Sequence, residues 1–270
     1  MANWNAGFWF ASEFGLRFAH TPFSSEKWES LLGFGENEVN ADELVREKGY
    51  KKILLPLFNE FNKFEINRIK NIIASYANKR VVFYLEQDQG YKNQYGVMHD
   101  LQTRFYASKI RINDSLEFSP NNYNIAIHIR RGDIISGQSN KNQNLLMRWQ
   151  DSEYFENVLN SALKLSSPKK RICIYLFSQG SRKDFLNFQK FDNIHFCLDM
   201  GPHESFLHMV YADLLITSKS SFSYKAALLS RGIKICPLNF WHGYPVSEDW
   251  IIANENGLID EKHNKHYDGK

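Results

Sequence analysis

The sequence contains little cysteine, and the few cysteines present exclude a disulfide framework. Only three occur in 270 residues, at Cys173, Cys197 and Cys236. An odd number of cysteines inside apolar runs is typical of buried free thiols in a reducing compartment. None of them shows the C-x-x-C spacing of a structural zinc site. We therefore expect neither a disulfide-stapled fold nor a zinc centre.

Long apolar stretches, a basic leader and an excess of one charge are also missing. No run approaches the ~20 apolar residues that span a bilayer, and the N-terminus lacks the basic start of a signal peptide. The net charge is +3, from 33 basic and 30 acidic residues, which is too balanced for a protein that coats nucleic acid. These absences predict a cytoplasmic protein with no membrane span and no nucleic-acid partner.

Two signatures of phosphate and metal chemistry are absent. The G-x-x-x-x-G-K-[ST] loop of P-loop ATPases does not occur. The sequence E-Q-D at Glu86–Asp88 lacks the first aspartate of a metal-binding D-x-D motif, so we interpret it as a loop. A phosphate site in this chain would have to be built in another way.

Helix and strand patterns alternate along the chain, which predicts an α/β fold. The second half repeats strand and helix regularly, and this favours a right-handed parallel sheet. A polar segment at 112–122 is the candidate linker, so we divide the chain into residues 1–118 and 119–270. The predicted strands cover residues 17–20, 52–57, 80–86, 125–129, 171–178, 194–198, 214–217 and 234–236. The predicted helices cover residues 26–32, 41–48, 64–76, 99–109, 154–165, 182–188, 204–211 and 221–230, with a further short helix near the N-terminus that Gly15 ends.

The stretch Tyr123–Asp133, Y-N-I-A-I-H-I-R-R-G-D, is the main candidate for a ligand site. Its alternating isoleucines predict a strand buried in a parallel sheet. The strand ends in Arg130 and Arg131, at the edge where open α/β sheets bind ligands. Because a guanidinium is a permanently charged planar fork, two of them suit a diphosphate. Asp133 either holds an arginine or takes a proton from a hydroxyl; the alternative is a purely structural Arg130–Asp133 ion pair.

A second candidate is the segment T-S-K-S-S-F-S that starts at Thr217. A strand runs into hydroxyl side chains and Lys219 and then into a helix, whose free N-terminal amides suit phosphate. The alternative is an ordinary serine-capped helix. Ser178 and Gln179 follow another strand, so we expect them at the same edge of the sheet.

In order along the chain, H128-x-R-R-G-D133, S-x-x-Y154-F155, Y175-x-F-S178 and A212-D-x-x-I-T-S-K-S-S-F-S-Y224 resemble the motifs of the inverting GDP-fucosyltransferase superfamily. The α1,2-fucosyltransferase branch is the most similar. The resemblance implies a GT-B-like fold, with two Rossmann-like α/β domains facing a cleft. It also implies metal-independent transfer of a sugar, L-fucose from GDP-fucose, to a hydroxyl of a glycan acceptor.

The same resemblance assigns roles to residues. Arg131 would contact the donor diphosphate, and residues 119–270 would bind the nucleotide sugar while residues 1–118 lie on the acceptor side. The implied donor-binding residues are His128, Arg130, Arg131, Ser178, Gln179, Lys219, Ser220, Ser221, Phe222 and Ser223.

The N-terminal part departs from the family pattern. Asn5 is the best counterpart of the asparagine in the glycine-rich opening loop of the family. His20 is a second candidate base, in addition to Asp133; the alternative is a histidine with only a packing role. Trp241 would stack on an acceptor sugar, or close the last strand. Two alternatives remain: another donor such as UDP-xylose, or a non-catalytic domain that binds nucleotide sugars or glycans.

Overall fold

The structure, a computed structural model, describes residues 1–86, 96–135, 142–165 and 168–259. Contacts within the chain divide it into two compact units. Unit 1 comprises Met1–Ile112 with Trp241–Gly243, and unit 2 comprises Asn113–Phe240 with Tyr244–Lys270. Both units mix helices with parallel strands, so the predicted α/β class is confirmed.

The described strands of unit 1 form two separate two-stranded parallel sheets, β1 with β2 and β3 with β4. A small apolar core joins α1 to α4 through Ala6, Phe10 and Ile69. Gly15, just after α1, adopts φ 63°, so its predicted role in ending the helix is confirmed. The elements are α1 (Ala2–Glu13), β1 (Ala19–His20), α2 (Glu26–Leu32), β2 (Val39–Asn40), α3 (Ala41–Arg46), β3 (Lys51–Leu54), α4 (Lys63–Ala74), β4 (Val81–Tyr84), α5 (Met98–Ala107) and a 3₁₀ helix (Lys109–Asn113).

Unit 2 is built on a six-stranded, all-parallel sheet with the order β10-β9-β8-β5-β6-β7. This is a Rossmann-like arrangement of alternating strands and helices. Its described elements are β5 (Asn122–His128), α6 (Gln143–Leu146), α7 (Ser152–Leu165), β6 (Arg171–Ser178), a 3₁₀ helix (Arg182–Phe188), β7 (Ile194–Leu198), α8 (Pro202–Tyr211), β8 (Leu214–Ile216), α9 (Ser221–Leu229), β9 (Ile233–Pro237) and β10 (Trp250–Ala253).

The alternation of side chains along the central strands explains why both faces of this sheet are covered. Ile125 and Ile127 of β5 are 0% exposed and belong to the same core cluster as Phe155 of α7. Phe177 of β6 instead contacts His208 of α8, with ring centroids 5.7 Å apart. Apolar residues on both faces of a strand are typical of parallel sheets with helices on each side.

Strand β5 lies at the point where the strand order reverses. The chain proceeds from β5 to β6 and β7 in one direction, and then returns to place β8 on the opposite side of β5. In open α/β sheets such a switch point leaves a crevice at the carboxyl ends of the strands, and ligands bind there. The fold therefore marks the ends of β5 and β8 as the place to look for a site.

The predicted linker is attached to unit 2. The Tyr211 hydroxyl donates to Asp114 at 2.8 Å, and the Glu117 backbone N–H donates to His208 Nε2 at 2.9 Å. The Phe118 ring packs on Tyr175 with centroids 4.5 Å apart. These contacts explain why unit 2 begins at Asn113, whereas the sequence suggested a division after residue 118.

Most predicted elements of unit 2 occur within two residues of their predicted bounds, but two elements were missed. Neither strand β10 nor α6 was predicted. The segment predicted as a helix at 182–188 is a 3₁₀ helix with non-helical backbone at Phe185. Asp88, part of the E-Q-D segment, lies outside the described residues. Among the helices that the structure describes, none has the length and apolar character needed to cross a bilayer.

Candidate functional site

Two hydrogen bonds connect the loops that follow β5 and β8, at the switch point of the sheet. His128 Nδ1 lies 2.8 Å from the Ser218 hydroxyl. Arg130 Nη1 donates to the Ser220 hydroxyl at 3.5 Å, a long contact. The structure thus brings together the two segments that the sequence singled out as phosphate-binding candidates.

Arg131 is the central charge of this site. It is 5% exposed, and Nη1 donates to the Arg130 carbonyl at 3.0 Å and to the Gln150 carbonyl at 3.1 Å. Nη2 donates to the Ser152 hydroxyl at 3.4 Å, and the guanidinium carbon lies 4.2 Å from the centre of the Trp149 ring. Burial lowers the pKa of Arg131, while Asp151 and Asp184 act in the opposite direction.

All these hydrogen-bond partners of Arg131 are neutral. Within the described part of the chain, its guanidinium forms no ion pair with a carboxylate. A buried charge is costly unless an opposite charge compensates it. The arrangement therefore favours the binding of an anion next to Arg131.

Arg130 differs from its neighbour, because it is paired. Its Nη2 atom lies 2.7 Å from Asp133 Oδ2, and its Nε atom donates to Asp133 Oδ1 at 3.3 Å. The hydrogen bond from Arg130 lowers the pKa of Asp133, so this carboxyl group is ionised at neutral pH. The Asp133 side chain is 56% exposed, and a ligand can reach it.

The N-terminus of α9 supplies donors beside these arginines. The Ser220 side chain caps the helix by accepting from the Phe222 N–H at 3.3 Å. Ser223, which is fully buried, accepts from the Ser218 N–H at 3.3 Å. The Phe222 ring lies next to His128, with centroids 5.5 Å apart. Ser220 and Ser223 thus stabilise the loop itself. Lys219 directly precedes Ser220 in the chain, and Ser221 directly follows it.

The end of β6 packs directly on the arginine loop. The Ser178 hydroxyl donates to the Ile129 carbonyl at 2.7 Å. Gly132 has φ 53°, and a Cβ atom added there would lie 1.8 Å from Gln179 Oε1. The positive φ favours glycine at position 132, and the Gln179 side-chain amide occupies the space that a Cβ atom would take. Ser178 and Gln179 lie at the predicted edge of the sheet.

His128 is a neutral imidazole in this site. Burial, and secondarily the charge of Arg130, lower its pKa from 6.5 to about 3. One ring nitrogen contacts Ser218, and among the described residues the other has no hydrogen-bond partner. His128 can therefore hydrogen-bond a ligand without carrying charge.

We expect the rate of the reaction at this site to show no inflection near pH 6.5 from His128. Because the folded pKa is below the unfolded value, the imidazole stays neutral from pH 8 down to pH 5. His128→Leu should reduce the rate about tenfold, since one hydrogen bond to the ligand is lost, without changing the shape of the pH profile. Rates measured from pH 5 to 8 for both proteins provide the test. An inflection near pH 6.5 that disappears in the variant would contradict a neutral role.

Three predicted residues lie in unit 1. Asn5 on α1 is 0% exposed, and neither side-chain amide atom has a hydrogen-bond partner among the described residues. His20 is 3% exposed; it accepts from Trp4 Nε1 at 2.9 Å, and its Nε2 atom lies 2.8 Å from Glu29. Trp241 is grouped with unit 1. Their predicted functions stay predictions.

A family model describes most of this chain. The model of glycosyl transferase family 11 matches residues 46–248, which is 203 of the 270 residues. The chain belongs to glycosyl transferase family 11. It is a glycosyltransferase of the fucosyltransferase type, and the resemblance found in the sequence is confirmed. A search of curated proteins finds no match to it.

The family 11 match includes every predicted donor-binding residue and starts within α3 of unit 1. Asn5 and His20 lie before its first residue. As regards metals, no group of three or more His, Cys, Asp or Glu side chains in the described ranges is arranged to hold an ion. The expectation that this glycosyltransferase uses no metal stays a prediction.

Sequence reasoning missed two residues of this candidate site, Trp149 and Gln150. Both contact Arg131. They lie in a polar segment without helical or strand periodicity, for which no element was predicted. The only available signal was the large aromatic Trp149, placed shortly before the S-x-x-Y motif that starts at Ser152.

Proposed function

We propose that this family 11 enzyme transfers L-fucose from GDP-fucose to a hydroxyl of a glycan, with inversion and without a metal ion, and that it has the GT-B fold. The observation that carries the proposal is the buried guanidinium of Arg131 at the switch point of the sheet, whose hydrogen-bond partners among the described residues are all neutral. Asp151 and Asp184 act on it only without a direct ion pair, and the diphosphate of a sugar nucleotide supplies a negative charge in direct contact.

In this mechanism the main contribution of the protein is to stabilise the leaving group. As the bond between the sugar C1 and the diphosphate oxygen breaks, negative charge grows on that oxygen. Arg131 offsets this charge, and charges positioned in advance stabilise a transition state without further reorganisation. The N-terminal amides of α9 and the neutral His128 provide additional hydrogen bonds. This distribution of positive charge takes the place that a metal ion has in other transferases.

The acceptor hydroxyl attacks C1 from the opposite face and loses its proton. Of the two predicted bases, Asp133 is the accessible one, and it is ionised at neutral pH. Because its pKa is lowered, it is a weak base, so we propose that it takes the proton only after the bond to the diphosphate is largely broken. His20 has contacts at both ring nitrogens within unit 1, which favours a packing role. We assign Asn5 and Trp241 to the acceptor side.

Calorimetric titration of the protein with GDP, UDP, GDP-fucose and UDP-xylose tests the donor. We expect GDP and GDP-fucose to bind in the range of roughly 1 µM to 1 mM that is typical of enzyme substrates, and the uridine compounds to bind at least about tenfold more weakly. Tighter binding of UDP-xylose than of GDP-fucose would identify UDP-xylose as the donor instead. Binding of GDP-fucose with neither hydrolysis nor transfer would favour the non-catalytic alternative.

The stereochemistry and the metal require separate measurements. The anomeric configuration of the product, read from its proton NMR coupling, should be opposite to that of the donor. The rate should be unchanged in excess EDTA. Retention of configuration, or loss of activity that is restored by a divalent cation, would contradict the corresponding part of the proposal.

A further inference from the structure

Gln150 connects the two loops that form the candidate donor site. It lies between α6 and α7 and is 8% exposed. Its backbone carbonyl accepts from Arg131 Nη1 at 3.1 Å, and its side-chain Oε1 accepts from the Lys219 N–H at 2.8 Å. One residue thus links the arginine after β5 to the loop after β8.

The side-chain contact requires a hydrogen-bond acceptor. A backbone N–H can only donate, so the oxygen of the Gln150 amide must face Lys219. A glutamate would keep this contact but add a negative charge, and a methionine would lose it.

The side chain of Gln150 thereby determines where its own carbonyl lies. That carbonyl holds one edge of the Arg131 guanidinium, while the Trp149 ring covers its face at 4.2 Å from the guanidinium carbon. If the anchor at Lys219 is removed, the carbonyl and the 218–220 loop are free to shift relative to each other. Displacements of about 1 Å are enough to impair a site that depends on preorganised charge.

We propose that Gln150 is a positioning residue for the donor diphosphate, which sets the Arg131 guanidinium at a fixed distance from the amides at the start of α9. The inference rests on the proposed function, because it takes that site as the diphosphate site. It extends the proposal to a residue that contacts neither the reacting atoms nor the acceptor.

The test uses Gln150→Met, which keeps the length of the side chain and removes its hydrogen bond to the Lys219 N–H. We expect the Kd for GDP and for inorganic pyrophosphate to rise about tenfold, as when a buried hydrogen bond is left unmade. The KM for the donor should rise similarly, while the KM for the acceptor stays unchanged. If Gln150 had a purely structural role, the KM values for donor and acceptor would change together.

Tyr211→Phe is the matched control. It removes the hydrogen bond between Tyr211, the last residue of α8, and Asp114. This change should leave the Kd for GDP unchanged. Unchanged binding by Gln150→Met, or an equal loss in Tyr211→Phe, would overturn the role of Gln150. Failure of the wild-type protein to bind either GDP or pyrophosphate would instead overturn the proposed function.

Gln150→Glu keeps the test decisive if the methionine variant does not fold. Its carboxylate still accepts from the Lys219 N–H, but it places a negative charge beside Arg131 and the phosphates. We expect its affinity for pyrophosphate to fall more than tenfold, and the loss to be smaller in high salt because the added repulsion is screened. Wild-type affinity in this variant would overturn the proposal.

Discussion

Replacing Arg131 with alanine is expected to lower kcat/KM for sugar transfer by about a hundred- to a thousandfold, the range found when one group that stabilises transition-state charge is removed. The affinity for GDP should fall as well, because the same guanidinium meets the diphosphate in the ground state. Arg131→Lys keeps the charge but loses the planar fork. We expect its kcat/KM to lie between the values for Arg131→Ala and the wild type. Initial rates with labelled donor and titration with GDP measure the two effects.

Two controls accompany the Arg131 variants. Arg171 begins β6 at the opposite edge of the same sheet and is exposed, so Arg171→Ala should leave transfer unchanged. Thermal unfolding of each variant will show that it is folded under the conditions of the assay. A folded Arg131→Ala protein that keeps more than a tenth of the wild-type rate would refute the assignment of the diphosphate to this residue.

Of the proposed substitutions, Asp249→Ala should cause the largest decrease in the free energy of unfolding. Lys234 in β9 is 0% exposed, and its ammonium group donates to Asp249 and, at 3.4 Å, to the Ser230 carbonyl. Removing the carboxylate leaves a buried charge without a counterion, which typically costs 3–5 kcal/mol. The Asp249 side chain is 44% exposed, so water can partly replace it, and we expect about 3 kcal/mol, at the lower end of that range.

Urea unfolding of three proteins measures this effect. Lys234→Met removes the charge together with its need for a partner, so it should cost clearly less than Asp249→Ala. Equal free energies of unfolding for wild type and Asp249→Ala would show that the pair contributes nothing to stability. Neither residue lies at the end of β5 or β8, and the affinity for GDP should be retained in both variants at temperatures where they are folded.

The same pair gives wild-type stability a pH dependence on the acid side. Burial alone would raise the pKa of Asp249, but hydrogen bonds from Lys234 and Ser247 outweigh it and lower the pKa. A carboxyl group with a lowered folded pKa stabilises the protein above its unfolded pKa, and this contribution is lost as the pH falls through the folded value. The difference in stability between wild type and Asp249→Ala should therefore shrink on acidification below about pH 4.

The sheet of unit 2 and the edge that carries the site were predictable from sequence because they depend on local patterns. Strand β6 is eight residues long; its apolar run extends from Ile172 to Phe177 and is followed by polar residues. In a parallel sheet all such strands end at one edge. His128, Arg131 and Ser220 could be placed together for this reason alone.

The remaining features depend on contacts that leave no local pattern. Strands β1 and β2 of unit 1 have two residues each, too few to show a period. Strand β10 has four residues, at the edge of the sheet. Gln150 lies in an aperiodic segment, and its role arises from a hydrogen bond to Lys219, 69 positions away. Distant partners of this kind cannot be inferred from residue spacing.

Strand β5 lies between β6 and β8, and this position also governs the order in which the contacts of the candidate site can form during folding. Strand β5 can pair with β6 early during synthesis, but His128 meets Ser218 only after 90 further residues have been made. Contacts at such separation form late, because the chain must first close a long loop. A nucleoside diphosphate should therefore raise the yield of native enzyme by mass action at the final step, while leaving the rate of the earlier phases unchanged. Refolding followed by fluorescence with and without GDP would distinguish the two effects.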